Sequence, residues 1–103
     1  MLRVLFAGTP DFAVPTLRAL IDDPDIVIEY VLTQPDRPSG RGQKVSESAV
    51  KRCALEANLT VRQPITLKDP NEIAWIHAQE FDAIVVVAYG QILNAEVLQS
   101  PRL

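Results

Sequence analysis

LRVLFAGTPDFAVPTLRALI, residues 2–21, changes its hydrophobic period once, and that change decides the fold. Leu2 to Ala7 is apolar apart from Arg3, with β-branched and aromatic residues, the pattern of a buried strand, and it stops at Gly8. Gly8-Thr9-Pro10-Asp11 has the composition of a tight turn. From Phe12 onward Ala13, Val14, Leu17, Leu20 and Ile21 recur at helical spacing, with Pro15 in the first turn, where a missing N–H costs little. The stretch therefore predicts strand, turn and helix in that order. Asp22-Asp23-Pro24-Asp25 ends the helix.

The same unit repeats along the chain. Ile26 to Thr33 predicts a second strand. Ser48 to Ala57 predicts a helix with Val50, Cys53, Ala54 and Ala57 on one face, and Asn58 suits a left-handed cap after it. Leu59 to Arg62 predicts a short third strand. Asp69-Pro70-Asn71-Glu72 combines an N-cap Asp, a Pro at the first helical position and a Glu at the third, a variant of the capping box. The helix it opens carries Ile73, Ile76 and the single histidine, His77. Ala83 to Ala88 predicts a fourth strand, apolar on both faces as in a sheet covered on both sides. Tyr89-Gly90 breaks it, and Asn94 suits the cap of a last short helix before Pro101. Strands alternating with helices give an α/β fold, a doubly wound parallel sheet of about four strands.

Composition bounds the function. The 103 residues, 48% of them hydrophobic, suit one globular domain. The net charge of −3 and pI near 5.0 argue against a globally basic nucleic-acid binder, so any such contact needs a local patch. One cysteine, Cys53, excludes an internal disulfide and fits a reducing cytoplasm. No apolar run approaches the roughly 20 residues that span a bilayer. No metal-ligand spacing occurs, and no Asp, Ser or Cys is arranged in sequence around His77.

Ligands of a doubly wound sheet lie beyond the carboxyl ends of its strands. Three segments fall there. Gly8 to Phe12 leads a glycine turn into a helix start, which suits an anion or polar ligand and equally suits a plain connection. The dinucleotide fingerprint is missing its parts: Gly8 stands alone, Pro10 removes a donor, and the second strand ends in Thr33-Gln34 with no acid for a ribose. The second segment, Gln34 to Lys44 (QPDRPSGRGQK), holds Arg37, Arg41 and Lys44 against the single acid Asp36, a local net charge of +2. Gly40 and Gly42 flank Arg41, while Pro35 and Pro38 stiffen the base. That composition predicts an irregular loop, suited to phosphate contact or to plain solvation. In the third segment, Tyr89 and Gly90 lead to Gln91, Ile92 and Leu93. Their backbone groups can read a flat heterocycle beside an apolar wall, or simply end a strand.

Taken together, FAGTPDFA (residues 6–13), TQPDRPSGRGQK (33–44) and VVVAYGQIL (85–93) resemble the methionyl-tRNA formyltransferases in order and spacing, and VLQSPRL (97–103) resembles the family's segment before its catalytic strand. The resemblance implies a Rossmann-like formyltransferase fold, of which residues 1–103 are the N-terminal portion. The catalytic segment (Asn-x-His and a later Asp) and the C-terminal tRNA-binding domain lie beyond it. It implies transfer of a formyl group from 10-formyltetrahydrofolate, a co-substrate, to the amino group of initiator methionyl-tRNA in the cytoplasm, with no metal. By resemblance, Tyr89, Gly90, Gln91, Ile92 and Leu93 line the folate pocket. Arg37, Gly40, Arg41, Gly42 and Lys44 belong to an arm that enters the tRNA acceptor region. Gly8, Thr9, Pro10 and Phe12 face the methionyl end. The chain itself holds no catalytic residue of that pattern, so it is expected to be inactive alone. Its fourth strand is expected to keep an unpaired edge through which the fragment self-associates, the parent being a monomer. The alternatives are another folate-dependent formyltransferase or hydrolase of the superfamily, which would not be expected to carry the basic arm, and a non-catalytic RNA- or nucleotide-binding α/β module, which would need no folate pocket.

Overall fold

The structure, a computed structural model, describes residues 1–39 and 44–90; the side chains of 37–39 and 44–46 are outside the description. Strand β1 is Leu2–Gly8. A 3-10 turn at Asp11–Ala13 leads into helix α1, Val14–Asp22. Then come β2 (Ile26–Leu32), β3 (Arg37–Ser39), β4 (Lys44–Ser46), α2 (Ala49–Glu56), β5 (Thr60–Arg62), α3 (Pro70–Gln79) and β6 (Ala83–Val87). The main sheet is parallel, in the order β5-β2-β1-β6. The chain winds outward from β1 through β2 to β5, then returns to the other side of β1 with β6. The expected α/β architecture is therefore present, and its four expected strands are the four of this sheet. No described helix is long and apolar enough to cross a membrane.

Helix ends follow their local chemistry. The Ser48 side chain caps α2 by accepting from the Lys51 amide at 3.0 Å. Asp69 caps α3 through the Asn71 amide at 2.8 Å, with Pro70 in the first turn. Glu72, expected to complete a capping box, instead turns its carboxylate to Arg62 of β5 at 3.0 and 3.2 Å. The Arg62 guanidinium also lies 3.9 Å from the Trp75 ring centroid, which fastens α3 to the sheet. Asn58 takes the left-handed conformation expected of it, φ 61°.

The core has two layers. Val4 and Phe6 of β1 point toward α1 and α2 and pack with Leu17, Val50, Cys53 and Ala54. Leu5 and Ala7 point the other way, toward Leu67, Ile76, Phe81 and Tyr89. Burying one such side chain contributes about 1.5–3 kcal/mol, so β1, buried on both faces, anchors the domain. A bulge in β2 changes its register: Val4 pairs with Ile28 but Phe6 with Val31. The extra residue puts Ile28 and Val31 on one face although they are three apart.

Two sequence expectations are corrected. Arg37–Ser39 and Lys44–Ser46 pair antiparallel, Pro38 opposite Val45, so the segment expected to be wholly irregular contains a small hairpin. A two-stranded ribbon has only edge strands, the setting in which Pro38 is tolerated. The expected fourth strand, Ala83 to Ala88, ends at Val87, and it is half-buried rather than covered on both faces: Val86 is 42% exposed. Among the described residues it pairs with β1 alone, and α1 and α2 cover only the face bearing Val85 and Val87. Ala88 leaves the strand at φ 49°, where the ladder cannot continue. The expected helix after Asn94 lies outside the described residues.

Candidate functional site

The carboxyl ends of β1, β2 and β6 meet at a cleft of ≈ 410 Å³. Thr9 and Pro10 enter it from the turn after β1, Gln34 and Pro35 from the end of β2, and Ala88 to Gly90 from the end of β6. Glu47 and Ser48 close it from the start of α2. The chain reverses its winding direction between β1 and β6, which is where an open α/β sheet leaves a crevice.

Polar contacts tie these ends together. The Thr9 hydroxyl donates to the Tyr89 carbonyl at 2.8 Å and accepts from the Gln34 amide at 3.4 Å. The Thr33 and Ser48 hydroxyls lie 2.7 Å apart. Both Thr33 and Gln34 are buried although polar. Space is tight where the strands end. A Cβ on Gly8 would lie 2.8 Å from the Val87 carbonyl oxygen, and one on Gly90, at φ 97°, would lie 2.6 Å from Gln34 Nε2. Both positions need glycine, the first for close approach and the second for its backbone angle as well.

The Tyr89 side chain turns away from the cleft into the layer with Leu67, Ile76 and Phe81, leaving only its backbone at the rim. Burial, and secondarily the charge of Glu72, push its phenol up to about 12. Its hydroxyl has no hydrogen-bond partner among the described residues.

At the root of the β3–β4 hairpin, Asp36 receives Lys51 Nζ on Oδ2 and Gln63 Nε2 on Oδ1, each at 2.8 Å. The Lys51 hydrogen bond first, then that of Gln63, hold its carboxyl below the usual value. Gln63 Nε2 also donates to the Gln34 carbonyl at 3.2 Å.

The structure brings Thr9, Pro10, Tyr89 and Gly90 of the expected site residues to the cleft, with Gly8 beneath it. Phe12 is not brought there; it is 68% exposed and is not part of the lining. Arg37 and Lys44 stand opposite ends of the hairpin strands that leave the cleft rim. Gly40, Arg41, Gly42, Gln91, Ile92 and Leu93 lie outside the described residues. Glu47 and Ser48 were missed as lining residues. Ser48 carried one usable signal, a hydroxyl at a helix start, but its position beside Thr33 is a tertiary fact. His77 is exposed on α3 and is not part of the lining. Among the described residues no three His, Cys, Asp or Glu side chains are grouped to hold a metal ion.

The parallel sheet, with a cleft at its switch point and a hairpin of basic sequence leaving the rim, defines a Rossmann-like α/β domain. The chain belongs to the formyl transferase family, which it matches over residues 2–103. It is 52% identical over 101 residues to the methionyl-tRNA formyltransferase of Hydrogenovibrio crunogenus, covering 98% of this chain and 32% of that protein. With the enzyme of the same name from Synechococcus elongatus it shares 52% over 103 residues (99% and 32%), and with that of Methylobacillus flagellatus 54% over 101 residues (98% and 32%). The chain thus spans about a third of the length of these relatives.

Proposed function

We propose that this chain is the amino-terminal part of an enzyme that moves a formyl group from 10-formyltetrahydrofolate to the amino group of initiator methionyl-tRNA in the cytoplasm. The observation that carries the reading is convergence: turn, β2 end and β6 end, far apart in sequence, line one cleft, and the basic hairpin leaves from its rim. The likeness to methionyl-tRNA formyltransferases supports the choice of substrates.

The division of labour follows the strand ends. The segment from Tyr89 and Gly90 through Gln91, Ile92 and Leu93 offers backbone donors and acceptors to the pterin. Gly8, Thr9 and Pro10 border the acceptor end, with Phe12 on the exposed side of the turn. The hairpin carrying Arg37, Gly40, Arg41, Gly42 and Lys44 supplies cationic contact to phosphates, which an acidic body offers only locally. In the reaction the amine nitrogen bonds to the formyl carbon, the bond from that carbon to N10 of the folate breaks, and the proton lost by the amine is matched by one taken up at N10. That requires a proton acceptor and a donor to the tetrahedral oxyanion. The family pattern gives these roles to an Asn-x-His and a later Asp, and the cleft-lining Thr9, Glu47 and Ser48 do not reproduce that pattern, so the 103 residues alone are inactive and the parent protein supplies both groups. The edge of β6 gives the isolated chain a route to self-association, with the parent monomeric.

The test is formylation by the full-length protein, with 10-formyltetrahydrofolate as donor and either methionyl-tRNA or an amino-sugar nucleotide as acceptor. Product on methionyl-tRNA alone supports the reading. Product on the sugar nucleotide alone overturns it in favour of another member of the family. Activity of the isolated 103 residues overturns the assigned division of labour.

A further inference from the structure

The geometry points to Asp36 as the latch that fixes where the β3–β4 hairpin leaves the sheet, and so as a positioning residue for the tRNA that the hairpin contacts; this rests on the function proposed above. Asp36 immediately precedes β3. Its two carboxylate oxygens take donors from two different parts of the fold, Lys51 on α2 and Gln63 just beyond β5, both at 2.8 Å. Two charge-assisted hydrogen bonds at that distance fix the carboxylate in direction as well as position. The pair is partly withdrawn from solvent: the side chains of Lys51 and Asp36 are 16% and 26% exposed.

The latch is also wired to the cleft. Gln63 Nε2 holds the Gln34 carbonyl as well as Asp36, the Gln34 amide reaches Thr9, and Thr9 holds the end of β6 through the Tyr89 carbonyl. Lys51, the other partner, lies in the first turn of α2, where its amide donates to the capping Ser48 that lines the cleft. A single polar framework therefore relates the hairpin root to the floor of the cleft. An arm that must deliver the acceptor end of a long ligand to a fixed reacting point needs such a reference, because a misplaced root moves the whole arm. Arg37 and Lys44 sit on the hairpin itself, but Asp36, Lys51 and Gln63 set its origin without any need to touch the ligand.

The experiment uses the full-length protein carrying Asp36→Asn, Asp36→Glu, Lys51→Met and the Asp36→Asn/Lys51→Met pair. Two readouts are taken: amide hydrogen exchange of residues 37–46 against that of β1 and β2, and KM and kcat with methionyl-tRNA. Asp36→Asn is expected to speed hairpin exchange and raise the tRNA KM by about tenfold each, the effect of one charge-assisted hydrogen bond, with β1 and β2 exchange and the folate KM unmoved. Asp36→Glu recovers part of the loss, and the pair is no worse than the Asp36 variant alone because both remove one contact. Unchanged hairpin exchange overturns the latch whatever the substrate. Faster exchange with an unchanged tRNA KM overturns its positioning role. A wild-type protein that does not bind methionyl-tRNA overturns the proposed function, and the exchange readout still decides the latch.

Discussion

The hydroxyl of Thr9 donates to the carbonyl of Tyr89 at 2.8 Å, joining the turn after β1 to the end of β6 across 80 positions of sequence. The bond closes the floor of the cleft and orients the backbone that leads away from Tyr89. Thr9→Val keeps the shape and removes the hydroxyl, taking the donor away from the part-buried Tyr89 carbonyl. It is expected to lower stability by about 1 kcal/mol, while Thr9→Ser stays near the wild type. Denaturant unfolding of the two variants checks this, and equal losses in both would mean that packing of the methyl group matters rather than the hydroxyl.

Gly8 pairs with Val87 where β1 and β6 end. A methyl group there meets Phe6 Cε2 and the Val87 carbonyl oxygen at 2.8 Å and Ala13 Cβ at 3.2 Å. The carbonyl belongs to the backbone paired with Gly8 and cannot rotate away. Gly8→Ala is expected to cost about 1–3 kcal/mol through overpacking, read as a lower midpoint of thermal unfolding. A variant as stable as the wild type would show that the two strands can separate at this point without penalty.

Tyr89 is 1% exposed, and its phenol is pushed up to about 12. The fold favours the neutral phenol, so this contribution to stability is complete below pH 10, the ordinary value, and is lost as pH rises from 10 towards 12. In an ultraviolet titration Tyr89 is expected to ionise in a late step, above the ordinary phenol value, and Tyr89→Phe should remove that step. Because the hydroxyl has no partner among the described residues, the same variant should unfold within about 1 kcal/mol of the wild type.

Asp36 behaves in the opposite sense. Its carboxyl is held below 3.8 by the Lys51 and Gln63 hydrogen bonds. The stabilisation is therefore present above the ordinary carboxylate value and is lost as pH falls through the lowered one. Carbon-detected NMR titration should find Asp36 ionising below the ordinary carboxylate value, and Lys51→Met should return it upward. An Asp36 that titrates at the ordinary carboxylate value would break the ion pair as an element of the structure.

Where local chemistry acts alone, the chain was legible. Asp69 and Pro70 start α3, Asn58 is left-handed after α2, and Leu2 to Gly8 is a strand buried on both faces. Reading failed where a neighbour decides. Glu72 has a strong local reason to fold back on its own helix, yet Arg62 from β5 attracts it more. Pro38 marks a loop by composition, yet a two-stranded ribbon accommodates it. Phe12, in the middle of a quoted site segment, faces solvent because the 3-10 turn at Asp11–Ala13 buries Ala13 instead.

The sequence by itself determined the alternation of strands and helices, because hydrophobic period, caps and turn residues act over a few positions and need no partner, and its three quoted segments carried the resemblance to the family. Only the tertiary structure decided that Thr9, Gln34, Ser48 and Gly90 share one cleft and that Asp36 is held by Lys51 and Gln63. Those contacts depend on strand order and on the β2 bulge, which place groups far apart along the chain within hydrogen-bond reach and leave no periodic trace in the residues themselves.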